Sequence, residues 1–534
     1  MTDRAPTRRD ALVVSAFVCA LAAPFLGKPA HNDEPYFLFA ARHILSDPLH
    51  PTRFYCDWLG RRLPFAKVSS NPPLFYYLIA APLKLCGDRL AALRLCLLPL
   101  DVIAAVALLF VAARYLRRPL LPTLTVLAGP AYAINMEHLM GEKGAAAFGF
   151  AGLALMLAGL DAGGGPLLWS AAALIAASCL CKFHAALIFL PVAAWAAARA
   201  LPRRRAVAFV AAAVLPVALY AGADAVSSGV VAATARTLAM TARLPTAAWP
   251  HRLRALLAFV GGCGGAAAAW PLLARRPSAA TLALLLAVMA ALYAPWLDRA
   301  PAALLDRACG VVWAAAAAWS LRLVWARRRD KEAELLVVWS AAALAACAAY
   351  WSVTSRLVLF ALPPLALVAA SELERRWSEG ALRRLHGVSL AATAGLTILL
   401  AFVDLHFAQA QRDFAFDVQR TYLRAGRRVW HTSTMGLEYY LAGTGARGLD
   451  ADRGGWDLVR PGDVVLRLAI NSAGVNPRKP VRVVEKAYTV QEPIPLRLIS
   501  GWTGEAGFYS SFWGFLPYCV SREPLERFAA LEVQ

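Results

Sequence analysis

From residue 90 to residue 404 the chain is a succession of long apolar runs separated by short connections. A run of about 20 such residues is long enough to cross the hydrocarbon core of a bilayer as a helix. An open chain has no other way to satisfy its backbone there, so the pattern predicts a polytopic helical membrane protein. Composition agrees: 59% of the 534 residues are hydrophobic and 17% charged, with a mean hydropathy of +0.52. Soluble proteins carry roughly a quarter of their residues as charges. The runs read as spans at Ala11–Gly27 and at 90–113, 120–135, 144–161, 166–181, 185–200, 206–223, 253–273, 279–297, 306–325, 334–351, 357–371 and 387–404.

The net charge of +21 is the second constraint, and its placement decides its meaning. Arginines cluster in alternate connections: Arg114, Arg117 and Arg118; Arg199 and Arg203–Arg205; Arg275 and Arg276; Arg327–Arg329 with Lys331; and Arg375, Arg376, Arg383 and Arg384. With thirteen spans all five clusters fall on one side, which the positive-inside rule assigns to the cytoplasm. Arg4, Arg8 and Arg9 put the N-terminus there too, and the C-terminal segment outside. A cleaved signal peptide is the rival for the first segment, since Ala20-Leu21-Ala22 mimics a cleavage site. No basic stripe interleaved with aromatics is present, which argues against a nucleic-acid partner.

Two stretches are not membrane-like. An outer loop, 28–89, joins the first two spans and belongs with the transmembrane domain, 1–405. The tail, 406–534, has strand-like alternation at Asp463–Leu468 and glycine-rich turns, and predicts a small extracytoplasmic α/β domain. Most of the ten cysteines lie inside apolar runs and none forms a C-x-x-C pair, so no zinc or redox motif is signalled. Cys56 and Cys519 both fall outside the membrane, and a disulfide between them is left open.

Chemistry concentrates near the first span. His31-Asn32-Asp33-Glu34-Pro35-Tyr36 sets two carboxylates at a membrane mouth, where desolvation is costly. The plain alternative is a helix start, with Asp33 as N-cap and Pro35 in the first turn. Lys67–Tyr77 follows, its paired prolines fixing the entry into an aromatic helix that also serves as an interfacial anchor. Asp101 is the clearest acid inside a span, and Arg94, about two turns away, is its expected partner. Gly443–Gly448 matches G-x-G-x-x-G but lacks the strand-to-helix context of a dinucleotide site. Asp450-x-Asp452 reads as a solvated loop.

In order along the chain, Asp33–Tyr36, the Pro72-Pro73-Leu74-Phe75-Tyr76-Tyr77 segment, Arg94-Leu95, Met140–Lys143 and Ser355-Arg356-Leu357 with Pro363-Pro364 resemble the GT-C glycosyltransferases. The nearest groups are the protein O-mannosyltransferases and the lipid A aminoarabinose transferases. The resemblance covers about residues 11–405 and implies thirteen helices with an outer C-terminal domain. It departs at Asn71, where the aminoarabinose transferases carry lysine and this chain has Lys67 four residues earlier, and at Glu142, which replaces the commoner aspartate.

The resemblance implies an inverting transfer of a sugar from a polyprenyl-phosphate donor to a hydroxyl outside the membrane, on a glycolipid, protein or polymer. It assigns the base to Asp33, with Glu34 as the neighbour that orients it or raises its pKa. Lys67, Asn71, Tyr36, Arg356, His138, Glu142, Lys143 and Lys182 are the candidate contacts to substrate or lipid phosphate, with Arg356 first for its two-pronged fork. Snorkelling to headgroups is the plain alternative for Lys143 and Lys182. A lipid monophosphate leaving group requires no metal, and no pattern signals a divalent cation. Two other classes remain open: a transporter or flippase of lipid-linked substrates, and a non-catalytic GT-C-like binding protein.

Overall fold

The computed structural model describes residues 6–58, 60–69, 71–228, 248–294, 304–432, 435–470, 475–477, 480–500 and 505–534. Helix α1 (Arg8–Ala22) opens with a capping box in which Thr7 and Asp10 satisfy each other's backbone N–H groups. A loop then leads into α2 (Glu34–Ser46), the hairpin β1 (Tyr55–Trp58) and β2 (Arg61–Pro64), the single turn α3 (Phe65–Val68) and α4 (Leu74–Cys86).

The predicted spans are next. Helices α5 (Leu90–Tyr115), α6 (Leu120–Ala128), α7 (Pro130–Met136), α8 (Gly141–Asp161), α9 (Pro166–Cys181), α10 (Phe183–Ala200) and α11 (Arg203–Ser228) follow in order. After them come α12 (Ala248–Cys263), α13 (Trp270–Ala274), α14 (Ala279–Tyr293), α15 (Leu304–Ala326), α16 (Glu334–Ala349), α17 (Ser355–Val358), α18 (Leu362–Glu374) and the 40-residue α19 (Glu379–Val418). Residues 295–297, the end of one predicted span, lie outside the described residues.

Each predicted apolar run holds a helix, but not every run is one straight span. Among the described residues, six helices are long and apolar enough to cross a bilayer alone, and seven if the pair around residue 264 is counted as one. That pair bends by 112°. Gly265 sits there at φ +57°, and a Cβ on it would lie 2.6 Å from Thr393 Cγ2, so glycine is needed both for the turn and for the approach to α19. The run at 120–135 breaks at Gly129-Pro130, because proline has no N–H to continue the ladder.

The tail holds a mixed five-stranded sheet ordered β4-β3-β5-β7-β6, built from β3 (Val429–His431), β4 (Arg447–Gly448), β5 (Val464–Leu468), β6 (Val483–Val490) and β7 (Glu526–Val533). The β5–β7 and β7–β6 pairs are antiparallel, and β3 is parallel to both β4 and β5. One face packs on the end of α19 and on α20 (Gly436–Leu441), where Phe414 stacks on Phe528 at 4.3 Å. Trp430, Trp456 and Leu531 fill the other face, so β5 is covered on both sides. Helix α19 runs through residue 405 without a break.

Residues 505–520 then lie back across the helices. Phe508 accepts from Ser355 N–H at 3.0 Å, Ser511 N–H donates to Val353 at 2.8 Å, and Tyr518 donates to the Gly262 carbonyl at 3.1 Å.

Two sequence readings, for Asp101 and Asp450, are corrected, and the disulfide left open is not formed. Cys56 and Cys519 are both free: Cys56 is on the hairpin and Cys519 lies in the returning strap. Asp101 pairs with Lys143 rather than Arg94. Asp450 is not a solvated loop residue, since only 9% of it is exposed and its carboxylate accepts from Arg62 N–H at 3.3 Å.

A candidate active site at one end of the helices

The polar residues of the sequence motifs collect at one end of the bundle because the chain places them at helix ends. Arg94 is in the first turns of α5, Glu142 in the first turn of α8, Lys182 between α9 and α10, and Arg356 in α17. Thr354 caps α17 through its side chain, and the 505–520 strap holds it from the other side.

Asp33 lies directly against Arg356, its carboxylate on the guanidinium Nη1. Arg356 Nε is 3.7 Å from Glu142, whose carboxylate also binds Lys182, and Met140 Sδ lies 3.6 Å from the guanidinium. Asp33 retains 29% side-chain exposure and Arg356 13%, whereas Glu142 is fully buried. Two cations therefore face two carboxylates at a partly open mouth, and the more accessible carboxylate is that of Asp33.

Asn32 is among the residues that sequence reasoning passed over. It adopts φ +51°, a left-handed conformation that asparagine tolerates better than most side chains. It is only 3% exposed, and neither its amide oxygen nor its amide nitrogen has a hydrogen-bond partner. Strained backbone and unpaired buried polar groups concentrate at functional sites.

Beneath this mouth is a second, fully buried network. Glu34 turns inward: its carboxylate accepts from Arg94 at 2.8 Å, from Leu139 N–H at 2.8 Å and from His31 N–H at 3.2 Å. Burial acts to raise its pKa, but Arg94 and then His138 hold it well below the usual carboxylate range. Lys28 bridges Glu137 at 2.8 Å and Asp404. His31 Nε2 is 3.1 Å from Asp404, and Tyr509 donates to Asp404 at 2.6 Å. His138 Nε2 lies 2.9 Å from the Tyr509 hydroxyl.

Three carboxylates (Glu34, Glu137, Asp404) thus face two permanent cations (Lys28, Arg94), and one further proton balances the set. Burial outweighs Lys28 in pushing Glu137 up to about 7, whereas burial acts to lower His31 and Asp404 and Glu34 together raise it. The ligand atoms of His31, His138 and Asp404 lie within 4.8 Å of one another, as a metal triad would. The Lys28 ammonium already supplies the positive charge beside Asp404 that a metal would bring.

Of the residues singled out in the sequence, the structure brings Asp33, Arg356, Glu142 and Lys182 together. It places Glu34 and His138 in the network below. Lys143 turns into the bundle against Asp101, at 2.6 Å. Tyr36 donates to Glu438 Oε2 and to the Asp57 carbonyl, both at 3.2 Å, so it joins the hairpin to α20. Lys67 is exposed and Asn71 half-buried on the segment entering α4, where Asn71 N–H donates to Ser69 at 3.2 Å. Lys28, Glu137, Asp404, Tyr509 and Glu438 were not singled out. For Asp404 a signal existed, an acid embedded in Ala401-Phe402-Val403-Asp404-Leu405. Tyr509 and Glu438 had none, because only the fold brings the tail to the helix ends.

No family model matches the sequence, and no curated protein matches it significantly. Among solved structures, ArnT from Cupriavidus metallidurans in the apo state superposes with a TM-score of 0.51 at 13% identity, over 85% of this chain and 92% of that one. The same protein bound to undecaprenyl phosphate superposes at 0.48 and 12% identity over the same shares. At this identity the likeness is one of fold. The chain has the fold of ArnT.

Proposed function

We propose that the protein transfers a sugar from a polyprenyl-phosphate donor to a hydroxyl outside the membrane, with inversion at the anomeric carbon. The observation that carries this reading is the Asp33–Arg356 pair, flanked by Lys182 and Glu142 at a partly open mouth. A sugar transfer of this kind needs a base for the acceptor proton and cations for the departing phosphate. The four side chains contain both.

In this reading the donor phosphate displaces Asp33 from Arg356, which frees the carboxylate at the moment the substrate arrives. The acceptor oxygen then forms its bond to the anomeric carbon from the face opposite the phosphate. Asp33 takes the hydroxyl proton, and the bond from the anomeric carbon to the phosphate oxygen breaks, leaving the polyprenyl phosphate with both electrons. Arg356 and Lys182 stabilise that phosphate, and Glu142 keeps the two cations apart and oriented. In this reading the site is extracytoplasmic and the chain sits in the cell membrane with its N-terminus in the cytoplasm, which the placement of the arginine clusters supports.

The test is incubation of purified protein with radiolabelled polyprenyl-phosphate sugars and membrane acceptors, with the anomeric configuration of the product read by NMR. Transfer with inversion is expected. Retention of configuration, or no transfer with any donor, overturns the reading; unchanged donor crossing the bilayer of a vesicle replaces it with transport.

A further inference from the structure

A cavity of about 1180 Å³ lies away from the Asp33 site. Its lining includes Arg114 and Tyr115 at the end of α5, Leu160 at the end of α8, Arg199 at the end of α10 and Glu374 at the end of α18. Each of these helices begins beside Arg94, Glu142, Lys182 or Arg356. Glu142 and Leu160 are 18 positions apart on α8, so at 1.5 Å per residue the cavity is about 27 Å from the catalytic mouth. It lies on the opposite face, the one to which the arginine count assigns the cytoplasm.

Eight of the lining residues are arginine or lysine and three are glutamate. Some cations are satisfied: Arg114 by Asp161, Arg199 by Glu334, and Arg327 by Asp330 and Glu372. Among the described residues, Arg117, Arg328, Arg329 and Lys331 have no carboxylate within ion-pair distance. Deeper, the walls are apolar, formed by Leu157, Leu160, Trp195, Leu335 and Leu336. An arginine rim over an apolar floor, open at a bilayer interface, is complementary to one class of molecule. Soluble anions match the rim alone, and neutral lipids match the floor alone.

We propose that this cavity is a binding site for an anionic phospholipid, with the headgroup phosphate on Arg117, Arg329 and Lys331 and the acyl chains against Leu335, Leu336 and Trp195. The unbalanced cations are what such a headgroup neutralises, and basic pockets between helices on the cytoplasmic side are where such headgroups bind. This inference is independent of the sugar-transfer reading.

The test is native mass spectrometry of the full chain released from detergent, titrated separately with phosphatidylglycerol, phosphatidylcholine and inorganic phosphate. The wild type is expected to retain phosphatidylglycerol in preference to phosphatidylcholine, and inorganic phosphate is expected not to displace it. Each headgroup-facing cation is worth about fivefold in binding (about 1 kcal/mol at a membrane surface). The double variant Arg117→Gln/Arg329→Gln should therefore bind about 25-fold more weakly. If that variant fails to fold, the single variants Arg329→Gln and Lys331→Gln, both on the exposed connection between α15 and α16, should each lose about fivefold. Wild-type affinity in the variants, equal retention of phosphatidylcholine, or displacement by inorganic phosphate at comparable concentration overturns the proposal.

Discussion

Replacing Lys28 by methionine tests the buried network with little change in shape. Lys28 is 1% exposed and its ammonium is shared between Glu137, at 2.8 Å, and Asp404. Removing it leaves three buried carboxylates facing Arg94 alone. Deleting one partner of a buried ion pair typically costs about 3–5 kcal/mol, because the surviving charge stays buried and uncompensated. Melting temperature responds less per kcal/mol as chain length grows, so at 534 residues about 1–2 °C per kcal/mol is expected. The drop should be about 3–10 °C in detergent, followed by intrinsic fluorescence or by loss of monodisperse protein on heating. The control is Arg114→Gln, whose partner Asp161 is 56% exposed and whose loss should cost less than about 1 kcal/mol. The double variant Lys28→Met/Glu137→Gln removes one charge of each sign and should recover at least half of the loss. A Lys28→Met protein melting within 1 °C of wild type, or a double variant worse than the single, would refute the charge accounting.

Glu438, buried against Asp57 and Tyr36, is pushed up to about 8, chiefly by its burial. The folded chain therefore holds a proton that the unfolded chain releases near 4.5, so stability falls as pH rises from about 4.5 to 8. Glu438→Gln should gain on wild type across that window, and a melting-temperature difference that does not grow between pH 5 and pH 8 would contradict this. Arg356→Lys keeps the charge but loses the planar fork that meets Asp33 and Glu142. It should lower kcat/KM by about 100-fold, roughly 3 kcal/mol, with expression unchanged; kinetics within threefold of wild type would remove Arg356 from the site. Gly265→Ala must push a Cβ to 2.6 Å from Thr393 at positive φ and should cost about 1–3 kcal/mol. A thermal scan showing no loss would mean that the bend relaxes freely.

The apolar runs made the helices legible, because a bilayer leaves the backbone no other economy, and each predicted run holds a helix. The same signal was poor at breaks: Gly264-Gly265 and Gly129-Pro130 interrupt runs whose hydropathy is continuous. At the site, Asp33 and Arg356 were legible from the order of motifs, although 323 positions separate them. Their pairing with Glu142 and Lys182 was not. Lys143 and Lys182 both sat at helix ends, and only the facing of α5 and α8 sends Lys143 inward to Asp101 while Lys182 meets Glu142. Glu34 shows the limit most clearly. Adjacent to Asp33 in sequence, it is turned to the opposite side by the start of α2, into a network completed by Asp404 and Tyr509 from far along the chain.

The most direct test of the central claim is single-turnover transfer by Asp33→Asn with saturating polyprenyl-phosphate sugar, alongside a separate measurement of donor binding. Loss of the base at a general-base step costs typically 10²–10⁴-fold in rate. Because the amide no longer competes for Arg356, donor affinity should be unchanged or higher. Transfer by the variant within tenfold of the wild type, or abolished donor binding with an intact fold, would contradict the assignment of Asp33.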